Sequence, residues 1–597
     1  MSSIKGIMEQ KIIQTLKQGL SALFSIEAET DKIILQATKK EFAGTYTFVT
    51  FPFVKQIKQA PPKIAQQLGE YLSTTLEEVE NFNVVQGFLN IELSTTYWLS
   101  VFEQEQNNNN AHHTQKELKV MVEFSSPNTN KPLHLGHLRN NFLGASLSNI
   151  LSAYGYQVTK ANLVNDRGIH ICKSMIAYQE FGAQETPESS QIKGDHFVGK
   201  YYVKFDQEYK AEIKELIAGG MTEEEAKKKA PLLLKAQEML KQWEAGDDKV
   251  VGLWKQMNNW VYDGFNQTYE RTGISFDQYY YESNTYLLGK DLVNEGLDKQ
   301  VFYKKEDNSV WCDLKDKKLD DKLVLRGDGT SVYITQDMGT ADLKYEDYQI
   351  DKSIYVVGDE QDYHFKVLQE ILKKLEKPYA DGIYHMSYGM VDLPSGKMKS
   401  REGTVVDADD LLQQMVDTAK ARTEELGKID ELSNEEAEKL YLTLALGALK
   451  YFLLKVEPKK RMLFNPKESI DFHGNTGPFI QYTHARISAI SRKAAQSELQ
   501  AVDTTGIELN EVEQDLIEKT NLFSKKIEEA AIQYSPSTIA NYVYELAKTY
   551  NRFYSEVPVF TDENPKVVAF RVALSSLVGK TIKDAMQLLG IDVPERM

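Results

Sequence analysis

The sequence predicts an α/β fold: a doubly wound parallel sheet in the middle of the chain, a small α+β region before it and an all-α bundle after it. Two segments, LKVMVEF (118–124) and KSIYVVGDE (352–360), are typical of buried strands that end in polar residues. From about residue 430 the apolar residues recur almost wholly at helical spacing. Ligands of such a parallel sheet are expected at its carboxyl edge.

The N-terminal region begins with MSSIKGIMEQKIIQTLKQGL, where apolar residues recur at helical spacing without a continuous apolar core or a cleavage site. This pattern predicts a docked helix rather than a targeting peptide. The polar segment EQEQNNNNAHHTQKE (103–117) has low complexity and no periodicity, which indicates a linker. We therefore place an N-terminal domain at residues 1–105.

The composition excludes several classes of protein. A length of 597 residues fits roughly three or four domains. No apolar run approaches the roughly 18 residues of a membrane span, so we expect no membrane partner. Two cysteines, Cys172 and Cys312, are too few for a disulfide framework or a cysteine-rich zinc site. We expect a cytoplasmic protein without structural zinc.

The net charge of −17 argues at first against a nucleic-acid partner. Its distribution weakens that argument, because residues 1–116 carry only −2 and residues 450–597 are balanced. The acidic excess therefore lies in the middle of the chain. Both ends could approach an RNA backbone without general repulsion, although neither is basic enough to require one.

The segment SSPNTNKPLHLGHLRNNFLG (125–144) follows the first predicted strand and passes from turn-forming residues into a helix near Leu133. The free N–H groups at such a helix start attract anions, most often phosphate. Gly136 leaves room for a flat base against the backbone, while His134 and His137 share one helix face. The segment predicts a phosphate site; the alternative is a pair of surface histidines.

A charged helical stretch around residues 214–250 predicts a helical insertion at about 185–260. A second motif, GMVDLPSGKMKSREGTVV (389–406), follows the second predicted strand at a distance. Its glycines bracket Lys397, Met398 and Lys399, and a basic loop of this kind can bring cations to a polyphosphate. On its own the motif is equally compatible with a plain surface loop.

HLGH after a strand, with KMKSR far downstream, resembles the two signatures of class I aminoacyl-tRNA synthetases. YITQDMGTA, VVGDEQDYHF, QYTHARI and the terminal LLGIDVPERM narrow the resemblance to arginyl-tRNA synthetases, from about residue 118 to the end and more weakly before it. The resemblance implies a Rossmann-like catalytic domain at 118–455 and a helical anticodon-binding domain at 456–597. It also implies ATP-dependent attachment of L-arginine to tRNA(Arg) through an arginyl-adenylate, with Mg²⁺ accompanying ATP and with a monomeric enzyme.

The resemblance assigns site residues by motif. Those implied to bind arginine are Glu123, Ser126, Asn128, His137, Tyr333, Asp337 and Gln361. Those implied to bind ATP are His134, Gly136, His137, Asn140, Lys397, Met398 and Lys399. Arginine carries a planar, permanent charge, so its pocket needs fixed carboxylates.

The second signature departs from the usual Lys-Met-Ser-Lys-Ser pattern, because Ser400 stands where its second lysine is expected. Many arginine enzymes instead carry a lysine just before HxGH, and Lys131 occupies that place. The resemblance thus implies His134, His137, Lys131 and Lys397 as the catalytic group. Lys399 or Arg401 is the alternative to Lys131 as the cation facing the pyrophosphate.

The tRNA contacts are implied by the same resemblance. Aromatic residues of the C-terminal bundle, Tyr482, Tyr550, Phe553 and Tyr554, are candidates for stacking on anticodon bases, with burial in the core as the alternative. Phe88 and Asn90 of VVQGFLNIEL are the candidates in the N-terminal domain.

Two other functions remain open. One is a class I synthetase for glutamine, glutamate or cysteine, of which the last should show zinc-spaced cysteines. The other is a catalytically silent RNA-binding paralogue, which should have lost HLGH or the leading lysine.

Overall fold

The computed structural model describes residues 4–39, 41–107, 115–392, 406–425, 432–497 and 499–597. Its N-terminal part is a four-stranded antiparallel sheet of strand order β1-β2-β4-β3 with helices around it. The elements are α1 Ile4–Phe24, β1 Leu35–Ala37, β2 Tyr46–Val49, α2 Val54–Ile57, α3 Pro61–Thr75, β3 Val79–Val85, β4 Phe88–Leu93 and α4 Thr95–Asn107.

The central sheet has five parallel strands in the order β12-β11-β5-β6-β7. Its strands and flanking helices are β5 Lys119–Glu123, α5 Leu135–Ala153, β6 Gln157–Val164, α6 Ile169–Phe181, β7 Gln278–Tyr281, α12 Glu282–Thr285, α14 Tyr333–Tyr348, β11 Lys352–Gly358, α15 Asp362–Lys374 and β12 Ile383–Tyr388. The two strands predicted from the sequence, β5 and β11, are neighbours in the middle of the sheet. The predicted fold class is confirmed.

Two additions interrupt the central sheet. Five helices lie between α6 and β7: α7 Pro187–Ser190, α8 Gly194–Ala218, α9 Glu223–Lys229, α10 Pro231–Glu244 and α11 Asp248–Thr272. The second addition was not predicted; it comprises α13 Lys290–Asp298 and a small antiparallel sheet of β8 Phe302–Lys304, β9 Val310–Cys312 and β10 Lys322–Leu325. Such short strands separated by charged turns leave little periodicity in the sequence.

The described residues of the C-terminal part are helical apart from one short strand. Its elements, with the strand β13 Val391–Asp392 that pairs with it, are α16 Ala408–Glu425, α17 Asn434–Leu454, β14 Met462–Leu463, α18 Pro466–Ser469, α19 Gly477–Ala495, α20 Glu511–Asn521, α21 Phe523–Gln533, α22 Pro536–Glu556 and α23 Pro565–Leu588. Apolar side chains from all three parts of the chain form one continuous core. Across it, the rings of Phe102 and Phe570 lie 5.0 Å apart, and Ser146 of α5 donates to the carbonyl of Leu588.

The helices in the described ranges include none that is both long and apolar enough to cross a membrane. Both cysteines are buried as free thiols.

Candidate active site

Two histidines lie at the start of α5, where the first N–H groups of a helix lack helical partners. His134 caps the helix, and its Nδ1 accepts a hydrogen bond from the N–H of Gly136 at 3.1 Å. The N–H of His134 donates in turn to Nδ1 of His137 at 3.2 Å. The ring centroids are 3.9 Å apart, so the structure brings both histidines together beside the helix end.

Gly136 allows this arrangement. A Cβ at position 136 would lie 2.9 Å from Cε1 of His134, closer than the capping ring permits. Glycine therefore makes room for the histidine cap itself, in addition to any ligand.

The local environment keeps both rings neutral. Burial lowers the pKa of His134 to about 4, and it lowers the pKa of His137 well below its usual value. The positive charge of Lys131, three residues before His134 in the chain, adds to both shifts. Neutral imidazoles supply a hydrogen-bond donor and an acceptor, whereas Lys131 supplies charge.

Asn140 requires a correction. It was expected to bind ATP, but the residue is buried and its amide group is used within the protein. Its Oδ1 accepts from the N–H of Ser125 at 2.6 Å, while its Nδ2 donates to the carbonyl of Val356 at 2.7 Å and to Tyr388. Asn140 therefore joins α5 to β11 and to the loop that follows β5.

That loop has a strained backbone. Ser125 and Ser126 both have positive φ angles, 75° and 44°, which side-chain-bearing residues adopt rarely. The N–H of Ser126 donates to Oδ1 of Asn162 on β6, and its carbonyl accepts from Asn165. Strain fixed in this way is typical of functional loops. Ser126 is half-buried and Asn128 is exposed at the carboxyl edge of the sheet.

Glu123, the last residue of β5, was expected to face the guanidinium of arginine. The structure instead places its carboxylate 2.5 Å from the ammonium of Lys344, which is almost fully buried. Lys344 also lies over the ring of Tyr355, which is opposite Glu123 in the β5–β11 register. The charge of Glu123 is thus neutralised inside the protein, and this corrects its expected role as a charge partner.

Asp337 lies one turn into α14, as the spacing from Tyr333 predicted. Its carboxylate is about one-third exposed and accepts from Nε2 of His364 at 2.6 Å. Tyr333 at the start of the helix is 80% exposed, and Gln361 just after β11 is exposed as well. Because Gln361 follows β11 and Asn128 follows the adjacent β5, both lie at the same edge of the sheet.

The sequence reasoning missed Glu282. This residue follows β7 at the same carboxyl edge, and burial raises the pKa of its carboxyl to about 7. The charges of Asp166 and Asp337 contribute to the rise, whereas Arg167 opposes it. Helix α12, which begins with Glu282, packs against α14, which carries Asp337. The available signal was an acidic residue directly after QYYY, a strand of aromatic rather than aliphatic residues.

The second signature falls outside the described residues, and with it the expected sites Lys397, Met398 and Lys399. Its flanks are described. On one side β13 pairs with β14, and on the other Asp407 forms an isolated antiparallel bridge with His134.

The aromatic candidates of the C-terminal bundle fall into two groups, one buried and one partly exposed. Tyr550 and Phe553 have no exposed surface, so the expectation that they stack on bases is corrected: they belong to the core. Tyr482 is half-buried and Tyr554 is 46% exposed, and the guanidinium of Arg486 lies 4.9 Å and 4.7 Å from their ring centroids. The three side chains line a cavity of about 430 Å³ that also contains Arg492 and Arg596.

The N-terminal candidates divide in the same way. Phe88 is 37% exposed and packs edge-on against Phe51. Asn90 is buried, and its side chain is bonded to Thr47 and Asn83, so its expected contact with tRNA is corrected to a structural role.

Three family models together match most of the chain. They are described as arginyl tRNA synthetase N terminal domain (residues 10–93), tRNA synthetases class I (R), catalytic domain (residues 100–465), and DALR anticodon binding domain (residues 480–597).

Similar proteins carry related names. The chain is 55% identical over 588 residues to an arginine–tRNA ligase of Amoebophilus asiaticus, covering 98% of this chain and 99% of the relative. It is 54% identical to one of Bacteroides thetaiotaomicron, covering 99% and 100%. The solved arginyl-tRNA synthetase of Thermus thermophilus shares the fold at a TM-score of 0.78 and 23% identity, covering 98% of this chain and all of that one. The chain belongs to the arginyl-tRNA synthetase family of class I.

Proposed function

We propose that this chain attaches L-arginine to tRNA(Arg) through an arginyl-adenylate, consuming ATP and releasing AMP and pyrophosphate. The observation that carries the proposal is the partly exposed carboxylate of Asp337 at the carboxyl edge of the parallel sheet of a family member, on a helix that packs against α12, which begins with Glu282. A guanidinium is a permanent cation, and two carboxylates form a site that a neutral or acidic amino acid cannot satisfy.

In this proposal the side chain of arginine lies between Asp337 and Glu282. Ser126, Asn128 and Gln361, on the loops after β5 and β11, are placed to bind the polar groups of the amino acid, and exposed Tyr333 covers it. Asp337 exchanges its bond with His364 for one with the substrate. Glu123, held by Lys344, keeps the floor of the pocket fixed without adding net charge.

ATP lies at the start of α5. His134 and His137 donate hydrogen bonds to its phosphates, and Lys131 neutralises charge on the departing pyrophosphate. The arginine carboxylate oxygen attacks the α-phosphorus, and the bond from that phosphorus to the bridging oxygen breaks as pyrophosphate leaves. Catalysis of this kind depends on positioning and charge. Mg²⁺ enters as the metal of the ATP substrate, and Lys397 completes the site.

The terminal ribose hydroxyl of tRNA then attacks the carbonyl carbon of the adenylate, and AMP leaves. For tRNA binding we propose the cavity around Arg486, where Tyr482 and Tyr554 offer ring faces and three arginines offer charge to an anticodon nucleotide. Phe88 is the candidate in the N-terminal part. We also propose a monomer in the cytoplasm, in line with two buried free cysteines.

The proposal is tested by pyrophosphate exchange and tRNA charging with each of the twenty amino acids. We expect charging of tRNA(Arg) with arginine alone. We also expect exchange that requires tRNA, as the family resemblance implies. Efficient charging with glutamine or glutamate would contradict the proposal, and absence of charging with any amino acid would support a silent RNA-binding paralogue.

A further inference from the structure

A cluster of ionisable side chains lies where α8, α11 and α16 meet. Lys193, the residue before α8, has its Nζ 2.6 Å from Oδ2 of Asp409 and 3.2 Å from Oδ2 of Asp195, and it also donates to Thr268 of α11. His196 Nε2 lies 3.2 Å from the same oxygen of Asp409 and 3.4 Å from Oδ2 of Asp407. We refer to Lys193, Asp195, His196, Asp407 and Asp409 as the junction cluster.

The junction cluster carries its own cations. Asp195, His196 and Asp409 have ligand atoms close enough together to hold a metal ion. The ammonium of Lys193 already contacts the carboxylates of Asp195 and Asp409, so the positive charge comes from the chain. Although burial acts to raise it, hydrogen bonds from His196 and Lys193 hold the pKa of Asp409 below its usual range.

The cluster is shielded from solvent, unlike most ion pairs on the same helices. The Lys193 side chain is 19% exposed, Asp409 is 20% exposed and Asp195 is fully buried. Charges at such positions lose hydration, and removal of one partner leaves the others uncompensated. Because the burial of these charges costs hydration free energy, we expect the network to hold in place the helices that it joins.

The elements joined by the cluster include the nucleotide end of the site. The N–H of Leu135 donates to the carbonyl of Val406 at 3.1 Å, and the N–H of Ala408 donates to the carbonyl of Leu133 at 3.0 Å. His134 and Asp407 are therefore paired residues of one short antiparallel bridge. A displacement of the α16 start would shift the backbone of the histidine that caps α5.

The insertion also touches the same loop directly. A Cβ at Gly199 of α8 would lie 2.8 Å from Cδ of Pro132, so this turn of α8 packs closely against the residue after Lys131. Two contacts, one through backbone packing and one through the junction cluster, thus join α8 to the loop that carries Lys131 and His134.

We propose that Lys193 is a positioning residue for adenylate formation. It ties the start of the helical insertion to Asp409, and through the bridge between Asp407 and His134 it sets the position of the capping histidine relative to ATP. Lys193 touches no substrate in this proposal. The inference goes beyond the proposed function, because it assigns the insertion a part in the chemistry rather than in arginine recognition.

The test compares Lys193→Met, which keeps length and removes charge, with Lys193→Arg, which keeps charge. Lys200→Met is the matched control: Lys200 lies on the same helix, and its pair with Glu185 is about half exposed. Pyrophosphate exchange is measured with saturating tRNA. The concentration of active sites is taken from the stoichiometry of arginine binding, measured by calorimetry. The kcat is then calculated per active site, so that misfolded protein does not lower it.

We expect Lys193→Met to lower kcat by about 10- to 100-fold, the effect of a small misplacement near reacting groups. KM for arginine should stay within about twofold, Lys193→Arg should recover most of the rate, and Lys200→Met should match the wild type. An unchanged kcat per binding site in Lys193→Met would overturn the proposal. So would a loss that appears only as reduced stoichiometry, since that result indicates folding alone.

Discussion

At the scale of single residues, the charge of the arginine pocket depends on which of its carboxylates the protein itself neutralises. Glu123 is paired with buried Lys344, Asp337 is paired with His364, and half-buried Glu282 has a raised pKa. A cationic ligand therefore gains most from Asp337 and Glu282. The charge balance of the pocket follows from long-range contacts that a single sequence does not reveal.

Glu282 predicts proton release on arginine binding. Burial raises its pKa to about 7, so near neutral pH the empty site holds a fractional proton. The bound guanidinium favours the ionised carboxylate of Glu282, so this proton is released when arginine binds. The affinity for arginine therefore falls as the pH drops below 7, by up to about tenfold per pH unit. Calorimetry in buffers of different ionisation enthalpy measures the release. Glu282→Gln should abolish it, and equal proton release by that variant would contradict the assignment.

Lys131 predicts a defect in chemistry rather than in binding. If its ammonium stabilises the departing pyrophosphate, Lys131→Ala lowers kcat for adenylate formation by about 10²- to 10³-fold, while KM for arginine changes little. Lys131→Arg should retain part of the rate. The pKa of His134 should rise towards its usual value in Lys131→Ala, because the lysine charge lowers it. Normal single-turnover adenylate formation in Lys131→Ala would assign the role to Lys399 or Arg401.

Residue-level prediction from the sequence succeeded where the reason was local. The contact between His134 and His137 follows from helical spacing and from Gly136. It failed for Asn140 and Asn90: the amide of Asn140 is bonded to Val356 and Tyr388, more than 200 residues away, and the amide of Asn90 is bonded to the neighbouring strands. For Tyr550 and Phe553 the structure shows the alternative, burial in the core. Glu282 was missed because only the fold places it beside Asp337.

At the scale of elements, α5 does more than bear the histidines. The buried guanidinium of Arg139 donates to the carbonyls of Gly389 and Met390 before β13, and to those of Pro458 and Lys460 before β14. One side chain thus joins α5 to both chain segments that lead into the β13–β14 pair. Burial lowers the pKa of Arg139 to about 10, which still leaves it charged at neutral pH.

Arg139 predicts a large loss of stability. Arg139→Met removes the donor to the buried carbonyl of Gly389, at about 1–3 kcal/mol, and the hydrogen bonds to three further carbonyls, so we expect a loss of at least about 3 kcal/mol in total. Calorimetry should show a fall in Tm of several degrees. Arg461→Met is the control, since that side chain is half exposed and pairs with Asp392 on the surface. A Tm for Arg139→Met equal to that of the control would contradict the structural role.

The sequence located long elements well and short ones badly. Strands β5 and β11 begin and end within a few residues of the predicted positions, and helix α5 begins two residues after the predicted start at Leu133, because turn residues bound these patterns. Apolar residues recur at helical spacing throughout residues 515–534, yet the structure contains two helices there, α20 and α21, that meet at Leu522. Strands β8 to β10 have three or four residues each, too few to show a period.

At the scale of the whole molecule, the nucleotide end and the cavity around Arg486 lie on one continuous core, whereas α14, which carries Asp337, packs with Ile334 and Met338 in a second cluster. The order of the motifs along the sequence predicted the three parts of the chain. How closely these parts pack against each other depends on side chains from distant segments. The acidic excess lies in the middle of the sequence, so the C-terminal bundle presents its arginines without a net opposing charge.

The cavity around Arg486 predicts a defect confined to tRNA. Tyr554→Ala should raise KM for tRNA(Arg) by about 10- to 100-fold, since stacking of one base contributes about 1–3 kcal/mol. KM for arginine and ATP should be unchanged. Tyr303→Ala is the control, because Tyr303 is similarly exposed but lies on the small β8–β10 sheet. Equal KM values for tRNA in the two variants would remove the cavity from the binding surface.

The central claim is that fixed carboxylates select arginine by its charge. Its most direct test measures kcat/KM for charging of tRNA(Arg) with arginine and with citrulline, whose side chain has a similar shape but no charge, in the wild type and in Asp337→Asn. We predict that the variant loses about one to two decades with arginine, matching about 1.5–3 kcal/mol for a lost hydrogen bond between charged groups, and little with citrulline. The preference for arginine should therefore collapse. An equal loss with both amino acids, or no loss with arginine, would contradict selection by Asp337.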